Sequence, residues 1–151
     1  TRVYASPGAA AKLEGDVTVL VPGKRLDVGD LIIETVPAYN TNKDFHPRES
    51  EHLGFILEAE GERLYFSGDT DFIPEMEALD CQIALLPVSG TYVMTAEEAA
   101  QASRVIGADI FVPMHYDAGV VGTIEDAQTF KELAAGKVVL LENEGIPSEE
   151  R

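Results

Sequence analysis

Leu64-Tyr65-Phe66-Ser67-Gly68-Asp69-Thr70-Asp71 is an apolar run that breaks into a small residue, a glycine and two acids. Arg63 to Phe66 reads as a short buried strand, and Gly68 supplies the turn that exposes Asp69 at its C-terminal end. In α/β proteins ligands and catalytic groups collect at that end, because loops there vary over a rigid sheet. Asp69 is therefore a candidate ligand. The same residues also permit a structural role, with Thr70 or Asp71 capping a helix that starts near Ile73-Pro74.

Leu53 to Ala59 reads as a strand before this one, with Glu60-Gly61-Glu62 as the turn of a hairpin. Upstream of the hairpin, Asn40 to His52 is the most polar loop in the chain, and a long polar loop inside a small domain is usually functional or disordered. Paired strands bring both ends of the hairpin to one side of the sheet, so His46 and Asp69 can approach each other. Earlier still, a helical turn is expected over Ala9 to Leu13, and strands over Val17 to Val21 and Leu31 to Tyr39, with a turn at Leu26 to Asp30 between them. Pro37 suits a strand end.

Downstream, Ile73 to Leu79 reads as a short helix and Gln82 to Pro87 as a buried strand. Thr95 with Glu98 is a capping-box pattern for a helix to Ile106, stopped by Gly107. Ile110 to Pro113 is a further apolar strand running into Met114-His115-Tyr116-Asp117. Thr123 with Asp126 opens a last helix to about Ala135, Gly136 stops it, Lys137 to Leu141 is a final strand, and 142–151 is an acidic, frayed tail. Strands followed by strand-helix alternation give an α/β class, with a mixed sheet covered by helices in a single domain over residues 1–151.

The chain of 151 residues carries 11 Lys and Arg against 27 Asp and Glu, a net charge of -16. That field opposes phosphate backbones and anionic lipid, so neither nucleic acid nor a membrane is an expected partner. No apolar run approaches the ~20 residues of a membrane span. The single cysteine, Cys81, cannot form an intrachain disulfide and reads as a small core residue, compatible with a reducing cytoplasmic compartment.

His115 follows its strand in the position that Asp69 occupies after its own, and His46 lies in the polar loop. Imidazole with carboxylate suits zinc, and also iron or manganese. Each histidine taken alone reads first as an ordinary surface or hydrogen-bonded residue, and His52, directly before the strand Leu53 to Ala59, is left in that class. Gly-x-Ser-x-Gly, the phosphate-binding Gly-x-x-x-x-Gly-Lys-[Ser/Thr] and Gly-x-Gly-x-x-Gly are all absent.

The string "VPAYN…FHP…LGFILEAEGERLYFSGDTDFIPEM", followed by "ALLPVSGTYVMTAEEAAQASRVIGADIFVPMHYD", resembles the C-terminal portion of the metallo-β-lactamase superfamily. The resemblance is to its branch of small metal-dependent hydrolases akin to L-ascorbate-6-phosphate lactonase. It implies part of an αββα sandwich, with Asp69 bridging two divalent metals, His115 binding one and His46 the other. Asp69 and His115 are then the catalytic residues, and Tyr116 and Asp117 orient a ligand or touch substrate. The implied reaction is attack of a metal-bound hydroxide on an ester, lactone, amide or phosphodiester of a small molecule. The superfamily's His-x-His-x-Asp-His motif is not in these residues, so the upstream half of the sandwich is expected from a complementary chain or a second copy. The alternative is a non-catalytic remnant or assembly subunit.

Overall fold

The computed structural model describes residues 1–141. In chain order the elements are β1 (Val3–Ala5), α1 (Pro7–Ala10), β2 (Val17–Val19), β3 (Arg25–Asp27), β4 (Ile32–Pro37), β5 (Leu53–Ala59) and β6 (Glu62–Phe66). They continue with β7 (Ile83–Pro87), α2 (Ala96–Ile106), β8 (Ile110–Met114), α3 (Ile124–Leu133) and β9 (Lys137–Val138). Short 3₁₀ turns lie at Arg48–Ser50 and Pro74–Ala78. The expected frayed tail at 142–151 lies outside the described residues.

Seven strands form one sheet in the order β3-β4-β5-β6-β7-β8-β9. Pairing is antiparallel from β3 to β6 and parallel from β6 to β9. This mixed sheet with helices on it is the expected class. The parallel half arises because β7 and β8 are near-continuous apolar runs and each needs a crossover to return, which α2 and α3 supply. Strands β1 and β2 form a separate two-stranded parallel sheet.

The core lies on one face. Ile56, Tyr65, Ala84 and Phe111 are in register across β5 to β8 and are buried with Leu86 beneath the small residues Ala99, Ala100 and Ala102 of α2 and Phe130 of α3. Alanines on the inner face of α2 let helix and sheet approach closely, while Phe111 and Phe130 fill the space between with an edge-to-face contact at 6.4 Å. On the opposite face, Leu57, Leu64, Ile83 and Ile110 form one row and Phe55, Phe66, Leu85 and Val112 another. Most of these side chains are only half-buried, and Phe66 is 38% exposed.

Several expected boundaries shift for local physical reasons. The segment Ala9 to Leu13 is helical only at its start, since α1 is Pro7–Ala10. The expected turn at Leu26-Asp27 is instead part of β3, which is held at the sheet edge by pairing with β4 and by ion pairing of Arg25 with Glu34. The last helix ends at Leu133, capped by Ala134, before Gly136 is reached. Gly136 serves close packing, because a Cβ there would stand 2.7 Å from the Phe111 ring. Strand β9 contains two residues where five were expected.

Neither Thr70 nor Asp71 caps the 3₁₀ turn at Pro74–Ala78. Its N-cap is Ile73, without a side-chain cap. Thr70 Oγ1 instead accepts from Tyr39 N at 3.1 Å, and Asp71 N donates to Tyr39 O at 2.9 Å. Both side chains turn inward, at 0% and 1% exposure, whereas the Asp69 side chain is 45% exposed.

Candidate metal centre

The sheet topology brings four chain segments to one edge. Strands β6, β7 and β8 are parallel, so the residues after each leave the sheet on the same side. Strand β4 also finishes there, because Pro37 pairs with Leu53 at the start of β5, and Phe55 pairs with Phe66 at the end of β6. Asp69 follows β6, Ser89 follows β7, His115 follows β8, and the polar loop with His46 follows β4.

Asp69 stands between the two histidines. Its Oδ2 lies 3.6 Å from His46 Nε2, and its Oδ1 lies 3.8 Å from His115 Nε2. These separations exceed a hydrogen bond. Two donors sharing one cation at about 2.0–2.2 Å each stand roughly 3–4 Å apart, so the spacing suits a shared ion.

The remaining ring nitrogens are held by protein groups. His46 Nδ1 is 3.3 Å from the Tyr92 carbonyl oxygen, which can only accept, so Nδ1 donates to it and Nε2 is the ring nitrogen that faces Asp69. His115 Nδ1 is 2.8 Å from Ser89 Oγ. Backing each imidazole through its second nitrogen is the usual way a metal-binding histidine is oriented. His115 also has φ +61, a left-handed conformation that is uncommon outside glycine and concentrates at functional sites. Gly122 allows the loop to fold back there, since a Cβ would meet Ser89 Cβ at 2.6 Å.

His46, Asp69 and His115 are thus brought together. Among the described residues, no group of three or more His, Cys, Asp and Glu is arranged so as to hold a metal ion by itself. The geometry agrees, because the histidines face different oxygens of Asp69 and each prospective cation position draws two donors from these residues. The donor set fits a divalent cation in kind and falls short in number.

The expected neighbours of His115 are placed differently. Tyr116 packs against the core, where burial, with Asp117 adding to it, raises its hydroxyl above the ordinary value. Asp117 is exposed in the loop, and among the described residues neither side chain hydrogen-bonds to the His115 ring. Ser89 takes that place. In the sequence it is marked only as a serine beside a glycine, with no local sign of a bond to a residue 26 positions away.

His52 lies closer to the site than its sequence position indicated. Its ring centroid is 5.2 Å from that of His46, and burial, then the neighbouring imidazole, lower its pKa against an opposing pull from Asp69. Both histidines and Asp69 line an open cleft of about 720 Å³ together with Phe55, Lys12 and Leu13. Beneath the site, Asp71 is buried. Burial alone would push its carboxyl upward, but hydrogen bonds from Lys43 and from the Thr41 and Asn42 amides outweigh it, and the group stays below the ordinary carboxylate range.

Residues 5–115 match the family model described as the β-lactamase superfamily domain. The chain is 32% identical over 139 residues to a UPF0173 metal-dependent hydrolase of Pyrococcus abyssi, a match covering 87% of this chain and 61% of that protein. A UPF0173 metal-dependent hydrolase of Alkaliphilus metalliredigens is 38% identical over 82 residues, covering 52% of this chain and 36% of the relative. A crystal structure assigned to a metal-dependent hydrolase of Parabacteroides distasonis superposes with a TM-score of 0.79 at 36% identity, over 93% of this chain and 64% of that one. Igni18, a metallo hydrolase from Ignicoccus hospitalis, shares the fold with a TM-score of 0.75 at 23% identity, over 94% and 66% of the two chains. The chain therefore spans between a third and two-thirds of the length of these relatives. The matched family model and the mixed sheet with its edge-clustered histidines and aspartate agree: the chain belongs to the β-lactamase superfamily and has the metallo-β-lactamase fold.

Proposed function

We propose that these residues supply one part of the active site of a metal-dependent hydrolase acting on a small molecule with an ester, lactone, amide or phosphodiester bond. The observation that carries the reading is the placement of Asp69, with one carboxylate oxygen toward His46 Nε2 and the other toward His115 Nε2. Asp69 would bridge two divalent cations, with His46 binding one and His115 the other. Zinc is the first choice, with manganese or iron as alternatives, because imidazole and carboxylate donors serve all three. Such ions polarise the scissile group and lower the pKa of water, and these residues hold and orient them.

Each remaining residue has a defined task. Tyr92 O accepts from His46 Nδ1–H, and Ser89 Oγ pairs with His115 Nδ1, so that both Nε2 atoms face Asp69 and would be the coordinating atoms. Asp117, exposed after His115, is the proposed contact to substrate, and Tyr116 supports it from the core. The resemblance of the Gly-Asp-Thr-Asp and Pro-Met-His-Tyr-Asp segments to the L-ascorbate-6-phosphate lactonase branch favours a lactone or ester among these substrates.

Because each cation position draws two donors from this chain, further ligands must come from outside residues 1–141. The half-buried row of Phe55, Phe66 and Leu85, with Leu57 and Leu64 beside it, is the surface on which a complementary polypeptide or a second copy would sit. A second reading, a non-catalytic assembly subunit, rests on the same shortage of donors. Elemental analysis of the natural protein and of Asp69→Ala separates the two. Two metals per site, falling in the variant together with hydrolysis of ester and lactone probes, supports the hydrolase, whereas metal-free protein with an intact fold supports the subunit.

A further inference from the structure

We infer that Asp71 is a positioning residue whose buried carboxylate clasps the 40–46 loop and thereby sets where His46 Nε2 stands relative to Asp69. The inference rests on the metal-site reading above. Beyond Ala38, whose N still donates to His52 O at 3.0 Å, the chain leaves the sheet and has no ladder to fix it. Its backbone groups find other partners. Asp71 Oδ2 accepts from Thr41 N at 2.8 Å and, more weakly, from Asn42 N at 3.4 Å, while Oδ1 accepts from Asn40 Nδ2 at 3.1 Å and Lys43 Nζ at 2.7 Å.

Asn40 then passes the constraint to the histidine. Its Oδ1 accepts from His46 N at 2.9 Å, and its own N donates to His46 O at 2.8 Å, which closes the loop on itself. Its Nδ2 also reaches Tyr92 O at 2.9 Å, the same oxygen that holds His46 Nδ1. Asp71 is only two residues from Asp69, so one short segment presents a ligand outward and grips its partner's loop inward.

The charge arrangement favours a clasp over an incidental contact. A carboxylate that is 1% exposed needs a counter-charge, and the Lys43 side chain, 15% exposed, supplies it from within the gripped loop. A ring held this way enters the site with its direction already fixed, which strengthens binding by reducing what must be ordered when the ion arrives.

The test uses the protein as the cell produces it, stripped of metal and titrated with Co²⁺ against a chelator, with visible absorption reporting the ligand field. Asp71→Asn should weaken the His46-side ion by about 10–100-fold and change its absorption bands, leaving the His115-side ion bound as in wild type. Asn40→Ala should do the same, and the double variant should be no worse than either single, since both act on His46 through one route. A merely structural role would lower thermal stability while leaving the bands and affinity unchanged, and that result overturns the inference. Should Asp71→Asn not fold, Lys43→Met decides in its place, since it loosens Asp71 from the loop while leaving the bonds of Asn40 to His46 intact, and unchanged affinity and bands there overturn the clasp. Wild-type protein that takes up no Co²⁺ overturns the metal-site reading and the clasp with it; wild type that binds two ions with insensitive variants overturns the clasp only.

Discussion

Replacing Gly68, the residue before Asp69, by alanine combines two separable penalties. Gly68 has φ +66, a left-handed conformation that costs an L-residue about 1–2 kcal/mol. A Cβ there would also stand 2.7 Å from the Leu53 carbonyl oxygen, a backbone atom in the sheet that cannot swing aside. Ordinary C···O contacts are about 3.3–3.6 Å, so the strand or the Asp69 loop must shift by roughly 0.6 Å. Overpacking of that kind costs about 1–3 kcal/mol. Two other glycines isolate the components. Gly107 has φ +67 with nothing within 4 Å, so Gly107→Ala carries the conformational cost alone. Gly54 has no positive φ, yet its Cβ would stand 2.7 Å from Ser67 O and 3.1 Å from Phe66 O and Val36 Cγ2, so Gly54→Ala carries a contact cost, as an upper bound for that of Gly68, with no conformational one. The expected destabilisation of Gly68→Ala is the sum, roughly 2–5 kcal/mol. Urea denaturation of the three variants, at matched slope, measures each loss. A Gly68→Ala protein as stable as Gly107→Ala would refute the claim that the Asp69 turn is pressed against β5.

Replacing His115 by alanine should remove activity and one bound metal while changing stability by less than about 1 kcal/mol, because it follows the strand end and is not part of the hydrophobic core; a loss of about 2–5 kcal/mol in a denaturation curve would mark it as a buried structural residue instead. Cys81 is 7% exposed, and burial, with Asp80 adding and Arg63 opposing, pushes its thiol up to about 11. The raised pKa keeps it neutral below that pH, so Ellman's reagent at pH 8 should react only after urea unfolds the chain, and immediate reaction of the native protein would contradict the burial. The half-buried sheet face should hold a partner through apolar area, burying more than ~1,000 Å² and tolerating added salt despite the net charge of -16. Light scattering across ionic strength tests this, and a dilute, well-folded monomer that binds no apolar dye would rule it out.

The parts of the fold legible in the sequence are those where a local rule and the tertiary structure coincide. Thr95 and Glu98 form a reciprocal capping box, and Gly107 takes the left-handed cap expected of it. The hairpin of β5 and β6 appears where two apolar runs flank Glu60-Gly61. At the second capping pattern the rule holds in part, with Asp126 accepting from both Thr123 N at 2.7 Å and Thr123 Oγ1 at 3.2 Å. The elements that escaped are those that exist only through their partners. Strand β1 is three residues long and its order comes from parallel pairing with β2, so no periodicity announces it.

In the site, residue type and strand-end position indicated Asp69, His46 and His115, since a sheet edge gathers the residues that leave its strands. The groups that orient them act across long sequence separations. Ser89, Tyr92 and Asp71 reach their partners over intervals of 26, 46 and 31 residues, through hydrogen bonds that leave no spacing in the chain. Asp71 also illustrates how a local signal misleads. Its position before a proline-led turn fits a helix cap, but a loop rich in unsatisfied amides competes for the same carboxylate and takes it.

Whether Asp69 stands between two metal ions is decided by anomalous X-ray diffraction from crystals of the natural protein, recorded on both sides of the absorption edge of the metal found in it. Two anomalous peaks roughly 3.5–4 Å apart, one beside each oxygen of Asp69 and each next to the Nε2 of its histidine, are the predicted result. Full occupancy of metal elsewhere in the molecule, or well-ordered His46, Asp69 and His115 with no peak between them in metal-replete crystals, would contradict it.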